Sequence, residues 1–481
     1  MQPDPKKGLE GGQYQPLDPE QIQKIHTASL SILERTGVQV DNPSALELFI
    51  SAGARVDGHR VRLSPTIIED AIDKAPSEFL LAGRDPKHDL ELGGKRVYIG
   101  TGGSALQVLD LVTGGVRNAT LEDVGLMARL VDALNFIHFY LIPIYPTDLP
   151  METVEINKYY RALANTTKHV QAGAYTLHGI REVIEMGEHV AGSASALRER
   201  PLLSFITSWV VSPLLFESNV TSLLLEVCRQ GVPVVLSAAP IAGLTAPVTL
   251  AGMLAQSNAE QLAGLTLTQL ANPGTPVLMG PIPATADMHS GKFLAGSVEF
   301  GLANSAISQL TQFYKIPNYN SAGLTESKLP DIQAGIEKAQ STIMTALAGS
   351  NFIHHAAGML EDMSTVAYEQ FVIDNETLGM TMRALEGIEV NDETLAVEVI
   401  DKVGPGGHYL LEDHTVDHLR SEFYFPSLVM DRQGRDLWVE EGSHDARARA
   451  RYIAQGILAE HRPTPLPDEV DSWIRNRFSI V

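Results

Sequence analysis

Cysteine is almost absent: the 481 residues include one, Cys228, in the stretch LLLEVCRQG. A single cysteine makes neither an internal disulfide nor a thiolate zinc site, and its apolar helical surroundings mark it as a small buried residue. Positive charge is also short, with 36 Lys and Arg against 58 Asp and Glu and a net charge of −22. A surface this acidic repels phosphate backbones, so nucleic acid is not an expected partner. No run of about 18 apolar residues suggests a membrane span, and the opening MQPDPKKGLEGGQYQPLDPE lacks the apolar core of a signal peptide. A cytoplasmic protein is expected. Nucleotide-binding fingerprints are missing too: GTGGS at 100 to 104 is glycine-rich but has the spacing of neither common motif. There is no HExxH and no Ser-His-Asp order to defend.

What is present is enough apolar material for a large core, 44% hydrophobic against 20% charged. Residues 1 to 17 read as a flexible leader. Asp18 then caps an amphipathic helix through Glu34, with Ile22, Ile25, Leu30 and Leu33 at roughly helical spacing. Two further helices are expected near Asn42 to Ala52 and Ser64 to Lys74, followed by short strands in DLELGGKRVYIG and LQVLDLVTGGV. From residue 97 a rhythm sets in. Short β-rich runs stand at 97–101, 136–145, 169–175, 202–209, 233–239, 276–282, 317–322 and 351–357, with helical patterns between them. Alternating βα units predict parallel strands, and eight of them predict an α/β fold closed into a TIM (β/α)8 barrel, in preference to an open doubly wound sheet. The expected division is a leader with a helical and β-hairpin region at 1–95, the barrel at 96–390, and a C-terminal extension at 391–481.

In such a barrel, functional side chains come from the C-terminal ends of strands and the loops after them. That rule selects Tyr98 and Thr101, Tyr145, Tyr175, Phe205 and Trp209, Pro281 and Pro283, Tyr319, Ser321 and Glu326, and His354 and His355. For a chain with 6% aromatics this set is aromatic-rich. Ring faces suit a quaternary ammonium, which has no N–H to donate, although rings at strand ends also serve as plain packing. Adjacent strand residues point opposite ways, so one of His354 and His355 is expected to face the lumen, where it could hold a carboxylate. The same opposition makes the pair a poor metal site, and no metal is expected. Glu369, Asp374 and Glu376 fall near helical spacing and read as a solvated or interface face. His408, His414 and His418, mixed with Glu412, Asp413 and Asp417, read as a salt-bridged helix start in preference to a metal centre. Lys328, in a polar turn, reads as a solvated lysine in preference to a Schiff-base residue.

Three separated stretches carry a resemblance: AGLTESKLPDIQAGIEKAQ, NFIHHAAGMLEDMSTVAYEQFVIDNE and GGHYLLEDHTVDHLRSEFYFPSL. Together they are similar to the trimethylamine methyltransferase family, over nearly the whole chain. The resemblance implies a TIM barrel enzyme that passes a methyl group from a methylated amine to the cobalt of a separate corrinoid (cobalamin) protein, with no cofactor bound covalently to the barrel. Archaeal trimethylamine enzymes of the family carry pyrrolysine, whereas this chain has ordinary residues throughout. It therefore resembles the non-pyrrolysine branch, whose members demethylate quaternary amines such as glycine betaine.

On that reading the trimethylammonium group sits among Tyr98, Phe205, Trp209 and Tyr319. The carboxylate meets His354 or His355 with help from the backbone of Gly102 and Gly103, and Glu326 positions the rim. A small amine, a corrinoid protein and further copies of the chain are the expected partners, the acidic aromatic tail at 407 to 428 being a candidate docking surface. Proline betaine, carnitine, butyrobetaine and trimethylamine stand as alternative donors. A non-catalytic betaine-binding barrel and an aldolase or isomerase are the readings from other classes.

Overall fold

The computed structural model describes residues 8–481; the first seven, which belong to the expected leader, lie outside the described residues. Eight parallel strands form the centre: β1 (Arg96–Thr101), β2 (Phe139–Leu141), β3 (His169–Gly173), β4 (Leu203–Thr207), β5 (Val234–Ala238), β6 (Val277–Pro281), β7 (Tyr319–Ser321) and β8 (Phe352–Ala357). Each coincides with one of the eight runs seen in the sequence. β2 to β6 pair in order, β7 pairs with β8, and β8 pairs with β1. Two seams finish the ring. Met279 bridges Asn318 between β6 and β7, and the His138 N–H donates to Ile99 O at 2.7 Å between β1 and β2. The open-sheet alternative is thereby excluded.

A helix follows every strand: α1 (Leu121–Ala133), α2 (Met151–Leu163), α3 (Leu177–Ala191), α4 (Ser218–Gln230), α5 (Leu250–Ala271), α6 (Val298–Tyr314), α7 (Ile332–Leu347) and α8 (Tyr368–Glu386). Local chemistry starts and stops them. Thr120 and Asp123 form a capping box at α1, Asp331 caps α7 through the Ala334 N–H, and Gly231 ends α4 in a left-handed conformation. None of the described helices is long and apolar enough to cross a membrane.

The closed end of the barrel is sealed by chain that precedes it. The strand pair Glu78–Leu81 and Leu90–Gly93 lies beneath, and His169 at the start of β3 bonds Ala82 O at 3.0 Å. The described part of the leader is not loose. Leu9–Glu10 pairs antiparallel with Arg96 and Val97, Gly12 N–H donates to Leu347 O at 2.7 Å, and Leu17 exchanges two bonds with the Gln309 amide. The polar composition that suggests flexibility hides backbone groups that the start of β1 and the end of α7 satisfy. Asp18 does cap the next helix, with Gln21 completing a capping box. Helices Pro43–Ser51 and Pro65–Lys74 follow as expected.

Glu369, Asp374 and Glu376 are all buried, which corrects the solvated face. Glu369 meets Arg447 and Arg451 of the tail helix Ala446–Glu460, and Glu376 accepts from the Tyr424 hydroxyl and the Ser427 N–H. Asp374 pairs with Lys338 at 3.3 Å, both side chains almost wholly enclosed. Lys338 also donates to the carbonyls of Gly323 and Met359, and Asp374 accepts from the Gly358 N–H at 2.8 Å. One ion pair between α7 and α8 thus clamps the turns that leave β7 and β8.

Removing half of a buried pair strands the other charge, so Lys338→Met is expected to cost about 3–5 kcal/mol in urea unfolding. The double variant Lys338→Met/Asp374→Asn, whose amide still accepts from Gly358, recovers part of it. Acid should also weaken the fold. Burial holds His138 and His355 down at about 3 and His169 at about 4, against an ordinary 6.5. Lowered folded-state values mean that the unfolded chain takes up protons first. The stability these groups contribute is complete above pH 6.5 and is lost as pH falls through 4 toward 3. Thermal unfolding scans should show the melting temperature dropping already between pH 6.5 and 5, before most carboxylates titrate.

Candidate active site

Side chains alternate along a strand, so each contributes every second residue to the lumen. Register identifies which. Tyr319 lies beside Phe352 and Ser321 beside His354, while Phe139 pairs with His169 and Leu141 with Gln171. The rings of Phe139 and Phe352 stack at 3.5 Å, and those of Tyr319 and His354 at 3.7 Å. Large side chains, Tyr98, Phe139, His169, Leu278, Tyr319 and Phe352, therefore fill the lower lumen. Above them, at the C-terminal ends, the same faces carry Gly102, Gly173, Ser237, Gly280 and Ser321. The lumen is plugged below and lined by small residues above, and the half-exposed Gly103, Tyr145, Gly173, Tyr175 and Ile206 mark where solvent reaches it.

This geometry sorts the expected residues. Tyr98 lies at the floor, its hydroxyl bonding the Glu91 backbone N–H at 3.1 Å, and not at the mouth. Phe205 points outward against Tyr159 of α2, and Trp209 outward against Phe216 and Gly264 of α5. Both fall on the strand parity that faces helices, so neither can ring a substrate in the lumen. Thr101 is spent on Leu141 O at 2.6 Å, and Pro281 and Pro283 are buried in the wall. Tyr319 faces the lumen, but His354 and Phe352 cover its faces. Lys328 is exposed and folds back on Glu326 O, the solvated outcome expected of it. His418 faces Glu393 at 3.3 Å, an ion-pair partner and not a ligand set; among the described residues no cluster of metal-ligating side chains occurs.

The two histidines overturn the alternation argument. The register of β8 against β1 slips between Ile353 and Ala357, and His355 takes a φ of +66°. This bulge turns both rings to one side, 3.8 Å apart, against Gly102, where a Cβ would come within 2.8 Å of His355. His355 is anchored, its Nδ1 2.8 Å from the Ser321 hydroxyl. His354 is not: it is fully buried, and both ring nitrogens lack a partner among the described residues. Burial, with His355 alongside, keeps His354 well below its ordinary value and hence neutral at pH 7. Buried polar groups are normally satisfied, so this imidazole stands out from the other buried histidines.

Glu326 bridges two rim loops. Its carboxylate accepts from the Gly296 N–H at 2.9 Å, while Glu337 accepts from the Glu326 N–H and the Thr325 hydroxyl. Burial, reinforced by Glu337 and Asp362, raises Glu326 above the usual carboxylate range.

On another side of the mouth, the strand-end rule selects Tyr145 and Tyr175 without giving them a role, and sequence reasoning missed their partners Lys158 and Glu155. Tyr145 and Tyr175, just past β2 and β3, meet edge to face at 5.6 Å. The Lys158 ammonium lies 4.4 Å from the Tyr175 ring centre and 3.3 Å from its hydroxyl. Glu155 fixes the turn there, accepting from the backbone N–H groups of Tyr175 and Thr176 at 2.8 and 2.9 Å. Lys158 and Glu155 sit mid-helix in α2, where an ordinary amphipathic pattern gives no signal that either is buried.

A family profile described as trimethylamine methyltransferase (MTTB) matches residues 4–478. A trimethylamine methyltransferase of Desulfitobacterium hafniense is 38% identical over 459 residues, covering 95% of this chain and 92% of that one. A glycine betaine methyltransferase from another strain of that species is 35% identical, with 96% of each chain covered. The trimethylamine methyltransferase of Methanosarcina thermophila is 33% identical, with 94% of each covered. With a family profile spanning almost its whole length and relatives this similar, the chain belongs to the trimethylamine methyltransferase family and is a methyltransferase.

Proposed function

We propose that this enzyme takes a methyl group from a quaternary amine, glycine betaine foremost, and passes it to the Co(I) of a separate corrinoid protein. The observation that carries the reading is His354: a buried, neutral imidazole at the upper lumen with two unpartnered nitrogens. A neutral ring can hydrogen-bond the polar end of a substrate without repelling its ammonium group. The relatives named above act, by their names, on trimethylamine and on glycine betaine.

The chemistry asks little else of the barrel. A quaternary ammonium leaves as a neutral tertiary amine, so losing its methyl requires no proton and no general base. Bound Co(I) would supply the nucleophile. The chain's part is to hold the N–CH3 bond toward the mouth and exclude water. The partly exposed Gly103, Gly173 and Ile206 mark the face that a partner would approach. Glu326 and Glu337 put carboxylates at the rim after β7, with Lys292 paired to Asp362 beside them, and the carboxylates favour the cationic end of a betaine there. Glycine betaine ranks above trimethylamine as donor because this chain has only the ordinary residues.

Mixing the enzyme with a reduced corrinoid protein and each donor in turn is the direct test. Absorbance should show Co(I) converting to methyl-Co(III) with glycine betaine and more slowly or not at all with trimethylamine, proline betaine, carnitine or butyrobetaine; no conversion with any donor refutes the reading. His354→Leu, of similar bulk but without N–H, should raise KM for glycine betaine about tenfold or more, the worth of a buried hydrogen bond to a charged group. Its melting temperature should not fall, since no bond within the protein is lost.

A further inference from the structure

Burying a carboxylate requires more than neutral hydrogen bonds: an enclosed anion without a compensating cation is costly. His354 is neutral, so a betaine carboxylate held near it receives no positive charge from the protein there. The mouth offers a candidate in Lys158. It is 2% exposed, yet among the described residues its ammonium has a single hydrogen-bond partner, the Tyr175 hydroxyl at 3.3 Å, apart from the faces of Tyr175 and Tyr145. No carboxylate of the described residues lies within ion-pairing distance of it; Glu155 on the same helix acts on it at longer range and is committed to the Tyr175–Thr176 turn.

Tyr175 is the part of this pair that solvent reaches. Its ring lies over the lumen face of Gly173, where a Cβ would meet the phenol at 3.4 Å. Because the phenol oxygen accepts from Lys158, its own O–H is left to donate, and it has no acceptor among the described residues. The position is continuous with His354. Gly102 abuts both histidines, Gly103 would meet Pro143 O, Ala105 bridges Ile144 and Tyr145 N–H bonds Ala105 O, so β8, β1, β2 and β3 form one arc of the mouth.

We propose that Tyr175 and Lys158 form an anion receptor that selects quaternary amines bearing a carboxylate. The Tyr175 hydroxyl donates to the carboxylate, and Lys158, acting through it as a positioning residue, supplies the positive charge. This rests on the proposed reaction and deepens it, since it separates betaines from equally methylated amines with neutral tails. Such a receptor places a hydrogen-bond donor backed by an ammonium beside β3, apart from the Glu326 carboxylate on the β7 side.

The test is calorimetric binding to the enzyme alone, with three probes: glycine betaine, choline, and 3,3-dimethylbutanoate, the uncharged-carbon isostere of glycine betaine. Wild type should bind both carboxylates. Lys158→Met and Tyr175→Phe should each weaken both at least tenfold while choline affinity does not fall, a contrast that a merely structural defect would not produce. The two variants guard against one failing to fold. Carboxylate affinities unchanged within twofold, equal losses for choline, or no carboxylate binding by wild type would overturn the receptor. If wild type binds 3,3-dimethylbutanoate through these residues but moves no methyl from glycine betaine, the receptor stands and the proposed reaction falls.

Discussion

Closure of eight parallel strands into a ring is the constraint on which the rest depends. A closed ring has no sheet edge to protect, and it gives each strand one inward and one outward face. Every candidate side chain is sorted by that parity. Phe139, Tyr319, Phe352 and His354 fall on the inward face, and Phe205 and Trp209, equally aromatic and equally near strand ends, fall on the outward one. Aromatic content at strand ends is thus no guide to a cavity until register is known.

Within the lumen, size is graded along the strand direction. Rings stack from floor to mid-height, and glycine and serine take over at the mouth, where Gly102 and Gly280 lie tight against His355 and Tyr319. The bulge at His355 is the local exception to regular pairing. It brings two neighbouring imidazoles to one side of the sheet, one bonded to Ser321 and the other left with open valences. A strained backbone beside an unsatisfied buried group is a combination found at functional sites.

Buried charge does separate jobs on the two sides of the barrel. Lys338 and Asp374 neutralise each other and use their spare hydrogen bonds to hold the turns after β7 and β8. Lys168 spends its charge on three carbonyls at and just past the end of α1, Val131, Leu134 and Ile137, at 2.5 to 2.7 Å, and burial brings it down to about 7. Lys158 is different, because among the described residues no carboxylate lies within ion-pairing distance of it and Glu155 acts on it only at longer range. The three lysines look alike in sequence, each inside a mixed helical or turn segment; only their surroundings set them apart.

The sequence alone determined the order of strands and helices along the chain, the helix cap at Asp18, and the barrel, because periodicity, capping and turn chemistry act over a few neighbouring residues. It also carried enough motif to point to the family. Strand order around the ring, the leader's attachment to the floor, the burial of Glu369, Asp374 and Glu376, and the pairings of the two histidines with Gly102 and of Tyr175 with Lys158 were decided by tertiary structure. Those are contacts between residues tens to hundreds of positions apart, and their existence depends on register and on one bulge. A one-residue slip exchanges inside for outside while leaving composition and spacing unchanged.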